Sequence, residues 1–193
     1  LAGVLDAALQ NDAYETVYGS IYGILGILED RLMNLNEQVA KNPDFIETLK
    51  ISPSMYLGSC RYKLPDYSDD DATYAFIFNQ FKKYNIGAFF YIGGNDSMDT
   101  VAKLSSYFAK TGDKIQVIGI PKTIDNDLCE TDHTPGFGSA AKYVAASIQE
   151  ITRDSSVYSI QSVTIVEIMG RHAGWLAASS CTLHANGETA PHL

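Results

Sequence analysis

The sequence has little positive charge for its length. Lys and Arg together number 14 against 23 Asp and Glu, which leaves a net charge of -9 at pH 7 over 193 residues. This balance argues against nucleic acid or an anionic membrane as a partner, because both would be repelled. A small anionic substrate would have to be bound by a few placed cations.

Cysteines are also few, and long hydrophobic runs are absent. Cys60, Cys129 and Cys181 are odd in number and lack the spacing of a disulfide framework or a zinc site, which indicates reduced thiols in a cytoplasmic protein. No apolar stretch approaches the roughly 20 residues that a membrane-spanning helix needs. The first residues lack the basic-then-apolar order of a signal peptide. The sequence therefore predicts a soluble globular protein.

Three apolar runs have the length of β-strands. They cover residues 86–92, 115–120 and 163–169, and they are apolar on both faces, as the strands of a covered parallel sheet are. Residues 11–60 contain several glycines and predict only one strand, one helix and a loop, with a turn at residues 41–44.

Helical spacing of apolar residues lies between and around these runs, at residues 1–9, 69–84, 98–108 and 140–151. The alternation of strands and helices is typical of βαβ units. We therefore expect an α/β fold, namely a three-layer Rossmann-like domain whose mostly parallel sheet is covered by helices.

A polar segment follows each predicted strand. The segments are GGNDS at residues 93–97, PKTIDND at 121–127 and GRH at 170–172. Ligands of parallel α/β sheets bind at the carboxyl ends of strands, so the three segments are expected to converge on one crevice. This convergence is the main reason to expect an active site.

Each segment also allows a structural interpretation. Gly93 and Gly94 could let a phosphate approach the following helix, or they could form an ordinary tight turn. Asp125 and Asp127 would project to the same side if extended geometry continued. One could then act as a general base, while the other shapes the electrostatic field of that base or helps to hold a metal. The alternative is a turn in which the side chains of residues 125–127 bond local N–H groups.

The basic residues are equally open. Arg171 could clamp a phosphate or pair with a surface acid, while the adjacent His172 is interpreted as a non-catalytic histidine. Arg61 and Lys63 form a small basic cluster in an acidic chain, and taken alone they would be solvated surface charges.

Four segments together resemble the signature segments of the phosphofructokinases. They are IGGNDS at residues 92–97, GIPKTIDND at 119–127, TPGF at 134–137 and EIMGRHAGW at 167–175. The resemblance implies that residues 1–193 are the donor-binding, amino-terminal domain of such an enzyme, without its first strand, its glycine-rich loop and its second domain.

The resemblance implies roles in catalysis and in sugar binding. Asp125 matches the base that takes the proton of the 1-hydroxyl of fructose 6-phosphate, and Asp127 matches the second carboxylate of that segment. Thr123 lies at the reacting end of the sugar phosphate, and Arg171 also stabilises the transferring phosphoryl group. The sugar-phosphate-binding segment is matched by Met169, Gly170 and Arg171.

The resemblance further implies a donor site containing Gly94, Asp96, Ser97, Lys122 and Arg61. Members that use ATP usually have glycine where this chain has Asp96, and members that use pyrophosphate have aspartate. A carboxylate there would repel the α-phosphate of a nucleotide but leave room for the shorter diphosphate. Lys122 also favours pyrophosphate as the donor, but it is a weaker indication than Asp96.

The implied cofactor is Mg²⁺. Asn95 stands where most members have a metal-associated aspartate, so an amide oxygen or a bridging water would have to serve in its place. The implied partners are fructose 6-phosphate and pyrophosphate, or ATP, in a homo-oligomer that is a dimer or a tetramer. Allosteric control stays open.

The expected activity is phosphoryl transfer from pyrophosphate to fructose 6-phosphate, giving fructose 1,6-bisphosphate in glycolysis. The alternatives are an ATP-dependent member of the family, and an inactive fragment or regulatory subunit of the same fold. An NAD kinase or a lipid kinase would share only the glycine-pair segment.

Overall fold

The computed structural model describes residues 1–185 and 191–192. The chain crosses between two compact units three times, after Ile92, Asn95 and Ile120. Within the described ranges, no helix is long and apolar enough to cross a membrane. Unit 1 comprises Leu1–Ile92 and Asp96–Ile120, and unit 2 comprises Gly93–Asn95 and Pro121–Leu193.

Helices predominate in the part of the chain that is described. The strands are β1 Tyr18–Ser20, β2 Leu32–Asn34, β3 Ala88–Gly93 and β4 Gln116–Pro121. The α-helices are α1 Ala2–Leu9, α2 Ile24–Leu28, α3 Leu35–Lys41, α4 Phe45–Ile51, α5 Asp71–Lys83, α6 Asn95–Thr111, α7 Phe137–Ser156, α8 Trp175–Ala178 and α9 Thr182–Ala185, with a 3₁₀ turn at Ser179–Cys181.

Helix α5 begins where the sequence predicted. Asp70 is its N-cap and accepts hydrogen bonds from the backbone N–H of Thr73 at 3.1 Å and from its hydroxyl at 2.6 Å. Tyr74, Ile77 and Phe81 form one buried stripe at helical spacing. This stripe joins the main hydrophobic core of unit 1.

Helix α6 supplies the facing half of that core. Its buried face carries Leu104, Tyr107 and Phe108, and the aromatic rings of α5 and α6 contact one another, as Tyr74 and Tyr107 do at 5.0 Å between centroids. The predicted helices over residues 69–84 and 98–108 are therefore confirmed in type and face.

Strands β3 and β4 pair in parallel. Hydrogen bonds at the two ends of the pair run from Gln116 N to Gly87 O and from Lys122 N to Gly93 O, so both strands advance in the same direction. β1 and β2 form a separate antiparallel ribbon. The prediction of an α/β fold with parallel strands is confirmed, and the predicted runs at residues 86–92 and 115–120 are β3 and β4.

Residues 11–60 contain more structure than the sequence predicted. Two strands and three helices, from β1 to α4, lie there in place of one strand and one helix. These elements are three to seven residues long, which is too short for a hydrophobic period to emerge. The turn at residues 41–44 is confirmed, because α3 ends at Lys41 and α4 begins at Phe45.

The prediction of a strand at residues 163–169 is wrong. These residues adopt no strand conformation, and the side chains of Val163 and Ile165 are each 91% exposed. A strand forms only where a neighbouring backbone completes its hydrogen bonds, and the described residues provide no such neighbour here. The apolar pattern indicated strand propensity but could not indicate a partner.

Candidate active site

The segments that follow β3 and β4 lie side by side in unit 2. Lys122 N donates to Gly93 O at 2.7 Å, which carries the parallel pairing one residue past the end of β4. A Cβ added at Gly94 would lie 3.6 Å from Lys122 O, an ordinary contact, and Gly94 does not have a positive φ. Protein packing therefore does not require glycine at position 94, which favours the interpretation that a ligand approaches there.

Asn126 shapes the loop after β4. Its backbone is left-handed, with φ +57°. Its side-chain oxygen accepts from Thr134 N at 2.8 Å, and its amide nitrogen donates to Asp132 O at 3.1 Å. Asn126 therefore clasps residues 126–134 into a closed loop.

This clasp changes the predicted geometry of the two carboxylates. Extended backbone does not continue past β4, so the expectation that Asp125 and Asp127 project to the same side does not hold. The turn interpretation applies to Asn126, whose side chain bonds local backbone. The carboxylates on either side of it face different neighbours within unit 2.

Asp125 lines an open groove of about 480 Å³ together with residues 167–171, which include Gly170 and Arg171 of the third polar segment. The N–H of Asp125 donates to Thr123 Oγ1 at 3.1 Å, so Thr123 orients the backbone that carries the carboxylate. The predicted convergence is therefore observed in part: Asp125 of the second segment meets Gly170 and Arg171 of the third, while residues 93–97 are not among the residues that line the groove. Gly93 meets the loop after β4, and that loop meets residues 167–171.

A tight bend at Gly170 presents Arg171. Gly170 has φ +153°, and a Cβ there would lie 2.5 Å from Ala173 O, so the bend requires glycine. Met169, Arg171 and His172 are exposed. Arg171 forms no ion pair or hydrogen bond in the part of the chain that is described, which leaves its guanidinium available to an anion.

Asp127 faces the start of α6. Asn95 Nδ2 lies 3.5 Å from Asp127 Oδ2, the outer limit of a hydrogen bond, and Asp127 Oδ1 is buried without any hydrogen-bond partner. A buried, unpaired carboxylate oxygen fits a divalent cation, because carboxylate oxygens are ligands of Mg²⁺. Asn95 presents its amide nitrogen to Asp127, so its amide oxygen would become a ligand only after the amide turns over. Within residues 1–185 and 191–192, no group of three His, Cys, Asp or Glu side chains could hold a metal alone.

The other predicted donor residues belong to unit 1. Asp96 and Ser97 lie in the first turn of α6, where the positive end of the helix dipole stabilises an acidic side chain. Arg61 is exposed on a segment without helix or strand.

Two residues of the site were not predicted as such from the sequence. Asn126 is one of them, although an Asx residue between two acids is a recognisable signal for a left-handed position. Glu167 lines the groove with Asp125, and it belongs to the matched EIMGR segment without having been given a role.

Acidic and basic side chains at the strand ends of a parallel α/β sheet are typical of enzymes that bind phosphorylated ligands. Comparison with known proteins makes the class specific. The family described as phosphofructokinase (PFK) matches residues 1–188. The chain belongs to the phosphofructokinase family.

Individual relatives agree with this assignment. The chain is 43% identical over 180 residues to the pyrophosphate–fructose 6-phosphate 1-phosphotransferase of Methylococcus capsulatus, covering 92% of this chain and 42% of that protein. It is 36% identical over 180 residues to an ATP-dependent 6-phosphofructokinase of Actinobacillus pleuropneumoniae, covering 93% of this chain and 50% of that protein.

A solved structure shows the same fold. The pyrophosphate-dependent phosphofructokinase of Nitrosospira multiformis superposes with a TM-score of 0.87 at 39% identity, covering 98% of this chain and 47% of that chain. The chain thus spans about half the length of the relatives it matches.

Proposed function

We propose that the protein containing this chain transfers a phosphoryl group from pyrophosphate to the 1-hydroxyl of fructose 6-phosphate, a reaction of glycolysis. The observation that carries the proposal is the groove in which Asp125 meets residues 167–171. A carboxylate that can accept a proton and an arginine that can neutralise phosphate are thereby joined in one site. The name of the relative from Methylococcus capsulatus supports the same reaction.

In this mechanism Asp125 is the general base. Its carboxylate accepts the proton of the 1-hydroxyl while the hydroxyl oxygen bonds to a phosphorus of pyrophosphate. The P–O bond to the bridging oxygen breaks, and inorganic phosphate leaves. Arg171 neutralises negative charge on the transferring group, while Met169 and Gly170 contact the sugar phosphate.

Mg²⁺ fits beside Asp127. We propose that the orphaned Oδ1 of Asp127 and the amide of Asn95, directly or through water, would hold the ion. In phosphoryl-transfer sites Mg²⁺ is bound by one or two carboxylates, waters and substrate phosphates, so a set with one carboxylate and one amide is sufficient. The ion would supply positive charge to the phosphate oxygens.

The donor assignment rests on Asp96 and Lys122. The Asp96 carboxylate is exposed in the first turn of α6, and it forms no hydrogen bond or ion pair with the described residues. A carboxylate in that position would repel the α-phosphate of ATP. We assign Gly94, Ser97, Lys122 and Arg61 to the same donor.

ATP is the second candidate donor, because the relative from Actinobacillus pleuropneumoniae is named for it. The deciding experiment compares turnover of the complete protein with pyrophosphate and with ATP, before and after Asp96→Gly. We expect activity with pyrophosphate to fall about 10- to 100-fold and activity with ATP to rise, since the repulsion is removed. A wild-type protein that uses ATP and not pyrophosphate contradicts the proposed donor.

The matched control is Asp71→Gly. Asp71 is an acidic residue in the first turn of α5, so this change removes the same charge at an equivalent helix position. It should leave donor preference unchanged, and an equal effect of both variants would count against Asp96.

We further propose that the chain is the donor-binding domain of a cytoplasmic homo-oligomer. The free cysteines Cys60, Cys129 and Cys181 agree with a reducing compartment. Light scattering of the complete protein tests the oligomeric state, with a dimer or a tetramer expected.

A further inference from the structure

The segment that carries Arg61 alternates strictly between exposed and covered side chains. Ser59, Arg61 and Lys63 are exposed, while Cys60 and Tyr62 are partly buried against the core of unit 1 and Leu64 is fully buried. Period-two alternation without helix or turn indicates extended backbone. Arg61 and Lys63 therefore project from the same side, with Cα atoms about 7 Å apart.

Neither cation is engaged by the protein. Arg61 and Lys63 form no ion pair, hydrogen bond or cation–π contact in the part of the chain that is described. In a chain with a net charge of -9, two neighbouring cations without an ion-pair partner among these residues are available to an anionic ligand.

The segment is held firmly at its carboxyl end. Leu64 O accepts from Lys103 Nζ of α6 at 3.0 Å, and Lys103 also pairs with Asp99 at 2.8 Å. Pro65 O accepts from the Tyr74 hydroxyl of α5 at 2.6 Å. Burial raises the pKa of Tyr74 to about 12, so the hydroxyl keeps its proton and continues to donate at neutral pH.

Tyr91 of β3 holds the other end. The Tyr91 hydroxyl oxygen and Cys60 Sγ both lie next to Gly23. A Cβ added at Gly23 would be 3.2 Å from the hydroxyl oxygen and 3.3 Å from Sγ. Burial of the Tyr91 hydroxyl raises its pKa. Tyr91, in the strand that leads into α6, thus lies close to Cys60, the residue before Arg61.

We propose that Lys63 is a second cation of the donor site and contacts the same phosphate donor as Arg61. An anchored extended segment presents both charges at a fixed separation. The bond of Leu64 O to Lys103, whose partner Asp99 lies one helical turn after Asp96, holds that segment against α6, the helix that also carries Asp96 and Ser97. This proposal rests on the proposed function for the existence of a phosphate donor. It does not depend on which donor is used.

The test is Lys63→Met in the complete protein, with the KM for pyrophosphate, the KM for fructose 6-phosphate and kcat measured. We expect the KM for pyrophosphate to rise about tenfold, the loss of roughly one charge-assisted hydrogen bond. The KM for the sugar and the melting temperature should not change, because the Lys63 side chain forms no ion pair or hydrogen bond with the described residues. Lys63→Arg should restore most of the affinity for the donor.

The matched control is Lys114→Met. Lys114 is an exposed cation of unit 1 that precedes β4, and none of the described residues pairs with it. If Lys63→Met and Lys114→Met have the same KM for the donor, the proposal is wrong. If the wild-type protein uses ATP and not pyrophosphate, the proposed donor is wrong. The role of Lys63 is then decided by comparing the KM for ATP of Lys63→Met with that of Lys114→Met.

Discussion

Unit 1 is stabilised by apolar packing, whereas the site loops of unit 2 are stabilised by polar contacts. Both hydrophobic core clusters lie in unit 1, and the larger includes nine buried side chains from Ile24 to Phe108. In unit 2, the 20-residue helix α7 buries only Ile148. The loop after β4 is closed by the amide side chain of Asn126.

The difference matters for function. A tightly packed core resists rearrangement. Helices α5 and α6 therefore hold the residues that they carry in fixed positions. Loops closed by hydrogen bonds leave carboxylates and cations free to meet a ligand. We therefore expect substitutions in the core of unit 1 to affect stability, and substitutions in the loops of unit 2 to affect turnover.

The largest expected effect is on turnover and comes from Asp125→Asn. Removing the base should lower kcat about 10³-fold, while the melting temperature stays within about 2–4 °C, because no partner within the described residues depends on the carboxylate. Steady-state kinetics and thermal denaturation measure the two quantities. Asp132→Asn, an exposed acid of the same loop, is the control, and equal losses in both variants would contradict the assignment.

The next effect is on stability and comes from Leu104→Ala. Leu104 is 0% exposed within the larger core cluster. Its truncation should lower the free energy of unfolding by about 3 kcal/mol, as measured by urea denaturation. Ile51→Ala, at a side chain 86% exposed, should cost less than about 0.5 kcal/mol. The loss in the free energy of unfolding for Ile148→Ala, in unit 2, should lie between these two values. A loss as large as that of Leu104→Ala would contradict the contrast between the units.

A smaller effect on both quantities is expected from Asn126→Ala. Alanine loses both clasp hydrogen bonds and is strained at φ +57°, so the loop should open at a cost of about 2 kcal/mol. We expect kcat to fall about tenfold. Asn126→Asp keeps an acceptor for Thr134 N and should retain more activity. Unchanged kcat in the alanine variant would show that the clasp does not position Asp125.

The smallest effect concerns Asp70 of unit 1 and depends on pH. Hydrogen bonds from the hydroxyl and then the backbone N–H of Thr73 lower the pKa of Asp70 in the folded chain. Its stabilising contribution is therefore complete above the ordinary aspartate pKa of about 3.9 and is lost as the pH falls through the lowered value. Melting temperatures of the wild type and Asp70→Asn should differ at neutral pH and converge in acid. A constant difference would contradict the capping role.

Much of unit 1 could be predicted from its sequence. The stripe from Tyr74 to Phe81 and the aspartates before it predicted α5, and the apolar runs before Gly93 and Pro121 predicted β3 and β4. The same reasoning failed at residues 163–169, where an apolar run lies exposed. Local pattern reports propensity, whereas a strand also requires a partner that is remote in sequence.

For the site, the sequence by itself determined which chemical groups are present: two carboxylates, an amide and Lys122 after β4, and Arg171 after the apolar run at residues 163–169. It determined the family as well, because motif order is a property of sequence. Only the tertiary structure decided which neighbour each group faces. A single left-handed residue, Asn126, turns Asp125 toward residues 167–171 and Asp127 toward Asn95. That choice depends on the bonds of Asn126 to residues 132 and 134, which local spacing does not contain.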